Sequence, residues 1–202
     1  MTKENQCSCS HDLEQKKCRR GHGSFWMHDP KLVFDGLELK EGDCFLDMGC
    51  GPGDYSIVTS EIIGNSGLVY ALDRRRDAID ELTEKADFRG LKNIKVMVSD
   101  ISGPLPIDDN CVDVCFISTV LHSLNLADVE ETLFNQVFRV LKPGGRLAII
   151  ECKKEEQPFG PPMQMRLSPE DLEGLIIKYG FEKIDLVDLG YNYMIKFVVN
   201  PP

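Results

Sequence analysis

The chain lacks the features of several functional classes. No apolar run among its 202 residues approaches the roughly 18 residues of a membrane span, and residues 1–12 lack the apolar segment of a signal peptide. Basic residues are scarce, because 23 Lys and Arg against 33 Asp and Glu give a net charge of −10. Nucleic-acid binding needs clustered Lys and Arg. We therefore expect a cytoplasmic protein with a small-molecule partner, no nucleic-acid partner and no membrane span.

Residues 1–24 are polar and Cys-rich, and we interpret them as an N-terminal arm ahead of a single domain over residues 25–202. Thiol and imidazole groups are the usual ligands of tetrahedral zinc-type sites. The arm contains Cys7, Cys9, His11, Cys18 and His22. The three cysteines are therefore candidate metal ligands, although their spacing matches no zinc-finger pattern. Two alternatives stay open: a loosely attached arm with reduced thiols, or thiols that hold a soft substrate.

Strand-like and helix-like segments alternate from Gly42 onward. The predicted strands are Cys44–Asp47, Leu68–Asp73, Ile94–Val98, Val112–Ser118 and Arg146–Glu151. The predicted helices are Tyr55–Ile63, Ala78–Phe88 and Asp128–Leu141, the last ended by Pro143-Gly144-Gly145. This alternation is typical of a parallel sheet covered by helices on both faces. The prediction is a Rossmann-like, doubly wound α/β fold.

The end of the chain departs from this alternation. A predicted helix, Pro169–Tyr179, is followed by two strands, Phe181–Leu189 and Tyr191–Val199, with Gly190 between them. A parallel pair needs a crossover of about a dozen residues or more. The two strands should therefore form an antiparallel C-terminal hairpin, which completes a mostly parallel seven-stranded sheet.

Residues 45–53, Phe-Leu-Asp-Met-Gly-Cys-Gly-Pro-Gly, are the most informative stretch of the chain. A short apolar strand ends near Asp47 and runs into Gly49, Gly51 and Gly53. A glycine-rich turn between a strand and a helix N-terminus brings bare backbone N–H groups close to a ligand. This arrangement predicts a site for a nucleotide-like cofactor.

Two classes of cofactor fit such a loop. In dinucleotide enzymes, G-x-G-x-x-G cradles a pyrophosphate, but here Asp54 stands at the third glycine position and Asp47 precedes the loop. A carboxylate repels a pyrophosphate, whereas it stabilises the ammonium group of an amino acid. The residues thus favour a cofactor with an amino-acid portion, and an NAD-dependent oxidoreductase is the alternative enzyme.

Four motifs in order give residues 42–152 a resemblance to a known family. They are the Leu-Asp-Met-Gly-Cys-Gly-Pro-Gly loop, Val-Tyr-Ala-Leu-Asp73, Ser99-Asp100-Ile101, and the run from Leu105-Pro106 through Val120-Leu121-His122 to Leu141-Lys142-Pro143-Gly144-Gly145. With these motifs the chain resembles the class I S-adenosylmethionine (SAM)-dependent methyltransferases, especially the small-molecule group related to ubiquinone and menaquinone C-methyltransferases. The resemblance implies an enzyme that transfers a methyl group from SAM to a small-molecule acceptor by in-line displacement.

The resemblance also implies contacts to the methionine part of SAM. Gly49, Cys50 and Gly51 would form the loop beside it. Asp47 would lie near its ammonium group, and Ser118, at the end of the fourth strand, would lie beside the reacting centre. As an alternative, Asp47 is a turn or capping acid.

The adenosine part has its own candidates. Asp73 would accept from both ribose hydroxyls, since a carboxylate offers two oxygens to a vicinal diol. Asp100 would accept from the adenine amino group, with Ile101 packed on the ring. Arg74 is a further cofactor-binding candidate. As alternatives, Asp73 caps the next helix and Asp100 is an ordinary turn acid.

Catalysis requires a general base only when the acceptor atom carries a proton at neutral pH. His122, just past the fourth strand, is the candidate base, and Glu151, at the end of the fifth, is a candidate substrate-facing carboxylate. Alternatively, His122 only packs near the cofactor. We expect residues 25–28 and the proline-containing loop 153–167 to cover the site. A different class of function also stays open: a cofactor-binding sensor or a metal-binding protein that keeps the fold without turnover.

Overall fold

The computed structural model describes residues 24–199, which form a seven-stranded sheet with helices on both faces. The strands are β1 (Cys44–Met48), β2 (Leu68–Asp73), β3 (Ile94–Val98), β4 (Val112–Ser118), β5 (Leu141–Cys152), β6 (Phe181–Asp188) and β7 (Asn192–Val199). The helices are α1 (Pro30–Leu37), α2 (Asp54–Ile63), α3 (Arg76–Phe88), α4 (Leu126–Val140) and α5 (Pro169–Ile176), and a 3₁₀ turn, Ser24–Met27, precedes them. The strand order is β3-β2-β1-β4-β5-β7-β6. Strands β1 to β5 are parallel and β7 is antiparallel to both neighbours, so the predicted Rossmann-like fold is confirmed.

Alternate residues of each central strand enter two separate cores. On β4, Val114 and Phe116 pack with the face covered by α1, α2 and α3. Their neighbours Cys115 and Ile117 pack with the opposite face, covered by α4 and α5. Both faces of a parallel sheet are thereby buried, which explains the continuous apolar run of this strand. Among residues 24–199, none of the helices is long and apolar enough to cross a membrane.

Strand β5 begins earlier than the sequence pattern predicts. It starts at Leu141, directly after α4, although the prediction placed Pro143-Gly144-Gly145 between helix and strand. Leu141 pairs with Val112 and Arg146 with Val114, so the intervening residues bulge out of the ladder. Gly144, at φ +75°, allows this bulge because it has no Cβ. The turn residues therefore sit inside the strand.

The C-terminal hairpin turns at the sheet edge where the parallel strands end. Asn192 pairs with Cys152, the last residue of β5, so the turn lies at that edge. The predicted hairpin is confirmed, but its turn comprises residues 189–191 rather than Gly190 alone. Loop 153–167 begins at the same edge. The buried Arg166 organises this loop by donating to the backbone carbonyls of Lys153, Glu155, Phe159 and Pro161.

Candidate active site

A cleft lies at the carboxyl ends of the parallel strands, where the strand order reverses between β1 and β4. Ligands of open α/β sheets bind at such switch points. The cleft consists of two adjoining cavities of about 250 Å³ each. The Asp73 cavity is lined by Asp73, Arg74, Ser99, Asp100 and Ile101, and the Asp47 cavity by Ser24, Phe25, Asp47, Cys50, Gly51, Tyr55 and Ser118. Their shared lining is Gly49, Arg75, Thr119 and Val120.

The glycine loop forms the floor between the two cavities. Gly49 has φ +78°, and a Cβ at this position would lie 2.6 Å from Cγ2 of Val120. A glycine is therefore required for both conformation and space. The N–H groups of Gly49 and Cys50 donate to the carbonyl of Leu72 at 2.7 and 2.9 Å, which fastens the loop to β2.

Asp73 ends β2 and binds the loop on one side. Its Oδ2 accepts from the Gly51 N–H at 2.9 Å, and its Oδ1 accepts from the Arg75 N–H at 2.8 Å. A carboxylate has about four acceptor positions, so each oxygen keeps capacity for a ligand hydroxyl. The predicted diol-binding role is therefore chemically available to Asp73.

Asp100 follows β3 and faces the same cavity. Its Oδ1 accepts from both the backbone N–H and the hydroxyl of Ser102, at 2.9 and 2.6 Å. These hydrogen bonds, the hydroxyl first, hold the pKa of Asp100 below its ordinary value. Ile101 is buried beside it and supplies an apolar surface in the cavity lining. The pair thus offers an ionised acceptor next to an apolar wall.

Asp47 is the buried acid of the Asp47 cavity. Its Oδ2 accepts from the Ser56 hydroxyl at 2.6 Å. Burial is the main cause that raises the pKa of Asp47 to about 7, and the Asp73 charge adds to it. A cation bound in this cavity would therefore be stabilised by the ionised Asp47, and it would offset the desolvation cost of ionising that carboxylate.

Ser118 connects the end of β4 to the N-terminal 3₁₀ turn. Its hydroxyl lies 2.8 Å from the hydroxyl of Ser24, a residue assigned to the arm in the sequence analysis. The next residue, Thr119, has φ +54°, an uncommon conformation for a β-branched side chain. Such strain clusters at functional sites, and Thr119 lines both cavities.

Tyr55 and Asn192 were absent from the predicted site, and His28 was expected only as part of the covering segment 25–28. Tyr55 lines the Asp47 cavity, and its hydroxyl lies 2.8 Å from Nδ1 of His28. Nε2 of His28 accepts from the Asn192 amide at 2.6 Å. Since residues 28 and 192 lie far apart in the sequence, local patterns gave no signal of this connection. The covering role predicted for residues 25–28 agrees with Phe25 in the cavity lining.

The two candidate catalytic residues form a pair. His122 Nδ1 lies 2.7 Å from Oε2 of Glu151, whose Oε1 accepts from the Leu121 N–H at 2.8 Å. The Glu151 side chain is 0% exposed and bonded to His122, so it is buried beside His122 and does not face a substrate as predicted. Val120 and Ser123, on either side of His122, line the Asp73 cavity, but His122 lies outside that lining.

The remaining predicted residues fall into two groups. Arg74 lines the Asp73 cavity and Cys50 lines the Asp47 cavity. Burial raises the pKa of the Cys50 thiol, which keeps it protonated. The predicted metal ligands Cys7, Cys9 and Cys18 lie outside the described residues. Within residues 24–199, no group of three or more His, Cys, Asp and Glu side chains is arranged to hold a metal ion.

Comparison with known proteins shows the family of this chain. A methyltransferase-domain family model matches residues 39–184. The crystal structure of a SAM-dependent methyltransferase from Aquifex aeolicus is similar, with a TM-score of 0.81, 30% sequence identity, and coverage of 94% of this chain and 100% of that chain.

Two curated relatives have named acceptors. A demethylmenaquinone methyltransferase from Lactobacillus johnsonii is 33% identical over 64% of this chain and 52% of that protein. An arsenite methyltransferase from Halobacterium salinarum is 28% identical over 73% of this chain and 39% of that protein. The chain thus spans about half the length, or less, of these relatives. Given the family match over most of its length, the chain belongs to the class I SAM-dependent methyltransferases.

Proposed function

We propose that this protein transfers a methyl group from SAM to a small-molecule acceptor. The observation that carries the proposal is the convergence of three acids on one cleft: Asp47, Asp73 and Asp100, arranged around Gly49. They match the ammonium, the ribose diol and the adenine amino group of SAM. When bound, SAM supplies a methyl group on a positively charged sulfur, which is already activated for displacement.

The chain's own residues bind, align and exclude water. Ionised Asp47 would hold the ammonium group, and Asp73 would accept the ribose hydroxyls with its free acceptor positions. Asp100 and Ile101 would hold the adenine. Gly49 keeps the loop in this conformation, because a Cβ there would collide with Val120.

His122 is the proposed base for an acceptor whose reacting atom carries a proton. With Nδ1 directed at Glu151, Nε2 is left to accept that proton. Glu151 acts as a positioning residue that also stabilises the charged imidazolium. Because His122 lies outside the lining of the Asp73 cavity, the acceptor must extend beyond the space that the cofactor fills.

The acceptor class is proposed as a small organic or soft inorganic molecule, since the relatives are named for demethylmenaquinone and arsenite. A cytoplasmic location and the zinc-type arm site remain predictions from the sequence. NAD binding is not favoured by the site, because the carboxylates of Asp47 and Asp54 line the Asp47 cavity and would repel a pyrophosphate. A sensor without turnover is distinguished by the transfer assay below.

Methyl transfer from radiolabelled SAM tests the proposal. The full chain would be incubated with quinol analogues, arsenite, thiols, amines and phenols, and labelled products separated by chromatography. We expect transfer to at least one class, abolished or strongly reduced in Asp73→Asn. Asp80→Asn, on the exposed side of α3, is the matched control and should behave as the wild type. SAM binding without transfer to any class would instead support the sensor alternative.

A further inference from the structure

Three buried side chains form a hydrogen-bonded chain that ends at the Asp47 cavity. Asn192 on β7 donates through Nδ2 to Nε2 of His28 at 2.6 Å, and Nδ1 of His28 lies 2.8 Å from the Tyr55 hydroxyl. Asn192 is 1% exposed, Tyr55 6% and His28 8%. The chain therefore links β7, the N-terminal segment and α2 in a site from which bulk water is excluded.

The orientation of the Asn192 amide sets the direction of the hydrogen bonds in this chain. A neutral imidazole has one N–H donor and one acceptor nitrogen. Burial lowers the pKa of His28 to about 4, so the ring is neutral at pH 7. In this structure the Asn192 amide places Nδ2 beside Nε2 and leaves its buried Oδ1 without a partner among the described residues. In this amide orientation the ring proton lies on Nδ1 and is donated to the Tyr55 oxygen. The hydroxyl proton of Tyr55 is thereby left to be donated to another group.

The Asp47 cavity supplies the place for that donation. Tyr55 lines this cavity together with Asp47 and the hydroxyl pair of Ser24 and Ser118. Burial is the main cause that raises the pKa of Tyr55, Asp47 adds to it, and a hydrogen bond with Ser118 partly opposes it, so the phenol keeps its proton. The cavity lining thus combines two carboxylates, Asp47 and Asp54, with the hydroxyl groups of Tyr55, Ser24 and Ser118.

We propose that the Tyr55 hydroxyl donates to the α-carboxylate of bound SAM, and that His28 and Asn192 are positioning residues for it. The inference rests on the proposed function. The ammonium and carboxylate groups of an amino acid share one carbon, so a ligand whose ammonium meets Asp47 has its carboxylate in the same cavity. A buried carboxylate without donors is costly, and Tyr55 is directed to supply one.

Decarboxylated SAM provides a direct test, since it lacks the carboxylate alone. Affinities for SAM and for decarboxylated SAM would be measured by calorimetry on the full chain and on Tyr55→Phe. Loss of a hydrogen bond to a charged group should weaken SAM binding about 10- to 100-fold and leave decarboxylated SAM unchanged. The ratio of the two affinities within one variant is insensitive to the fraction of folded protein. Tyr70→Phe is the control, since Tyr70 on β2 is not in the lining of either described cavity.

If Tyr55→Phe weakens the binding of SAM and of decarboxylated SAM equally, the inference is wrong. The proposed function would stand, because the wild type would still bind SAM. Failure of the wild type to bind either ligand would overturn the proposed function itself. The positioning role has its own readout: His28→Ala should lower the SAM preference in the same direction as Tyr55→Phe. Nitrogen-15 shifts of the His28 ring should show the Nδ1–H tautomer at pH 7, and an Nε2–H tautomer would refute the directed chain.

Discussion

Asp47 should make SAM binding depend on pH. Its pKa, raised from 3.8 to about 7 mainly by burial, leaves the carboxyl largely protonated in mildly acidic solution. If the ionised form alone binds the ammonium group, the competent fraction rises from about 0.03 at pH 5.5 to about 0.5 at pH 7.0. The affinity for SAM should therefore rise about fifteenfold over this range. An α-amino group, with a pKa of about 7.7–8.0, stays mostly protonated throughout.

Calorimetric titration at half-unit pH steps checks this expectation. Asp47→Asn keeps the shape of the side chain and its bond with Ser56 but cannot ionise. It should bind SAM more weakly and with little pH dependence from 5.5 to 7.0. A constant affinity in the wild type, or an equal slope in Asp47→Asn, would refute the reasoning.

The same group affects the stability of the ligand-free fold. The folded pKa of Asp47 lies above the unfolded one, so the folded state binds the proton more tightly. The stability contributed by this proton is fully present below pH about 4 and is lost as the pH rises through about 7. The loss is at most roughly 4 kcal/mol, at 1.36 kcal/mol for each pKa unit. Asp47→Asn should accordingly raise the melting temperature at pH 8 while it weakens SAM binding.

Three further predictions concern Gly49 of the glycine loop, Glu151 beside the proposed base, and Arg166 of loop 153–167. Gly49→Ala should weaken SAM binding at least tenfold, because the added Cβ collides with Val120, and calorimetry on the folded variant measures it. Glu151→Gln should lower kcat by about 10²-fold or more for a protonated acceptor, with an altered pH–rate profile and unchanged SAM affinity; an unchanged profile would remove His122 as the base. Arg166→Lys should raise the KM for the acceptor more than the KM for SAM. The reason is that one ammonium cannot replace the planar guanidinium that binds four carbonyls of loop 153–167. Equal changes in the two KM values would argue against a substrate-side role for loop 153–167.

The acids of the cleft were predictable because each lies within two residues of the carboxyl end of a parallel strand. Strand ends of a parallel sheet meet at one edge, so Asp47, Asp73 and Asp100 could be placed together from the order of the motifs alone. The glycine spacing and Asp54 separated SAM from NAD on electrostatic grounds. The sequence therefore predicted most of the fold and the grouping of these acids in one cleft, and their roles toward SAM stay predictions.

Contacts that depend on register or on distant segments were not predictable in this way. His122 and Glu151 meet because β4 and β5 pair with Ser118 opposite Ile150, and the orientation of Glu151 away from the cleft follows from that register. The chain from Asn192 through His28 to Tyr55 joins residues far apart in sequence. The bulge in β5 was missed because Pro-Gly-Gly is typical of a terminating turn.

If the cleft binds SAM through its acids, calorimetry with SAM, S-adenosylhomocysteine and NAD should show it. The account predicts saturable binding of both sulfur compounds and none of NAD. It also predicts that Asp73→Ala weakens SAM binding by about 1–3 kcal/mol, through the loss of hydrogen bonds to a charged group. Binding of NAD without either sulfur compound, or an unchanged affinity in Asp73→Ala, would contradict it.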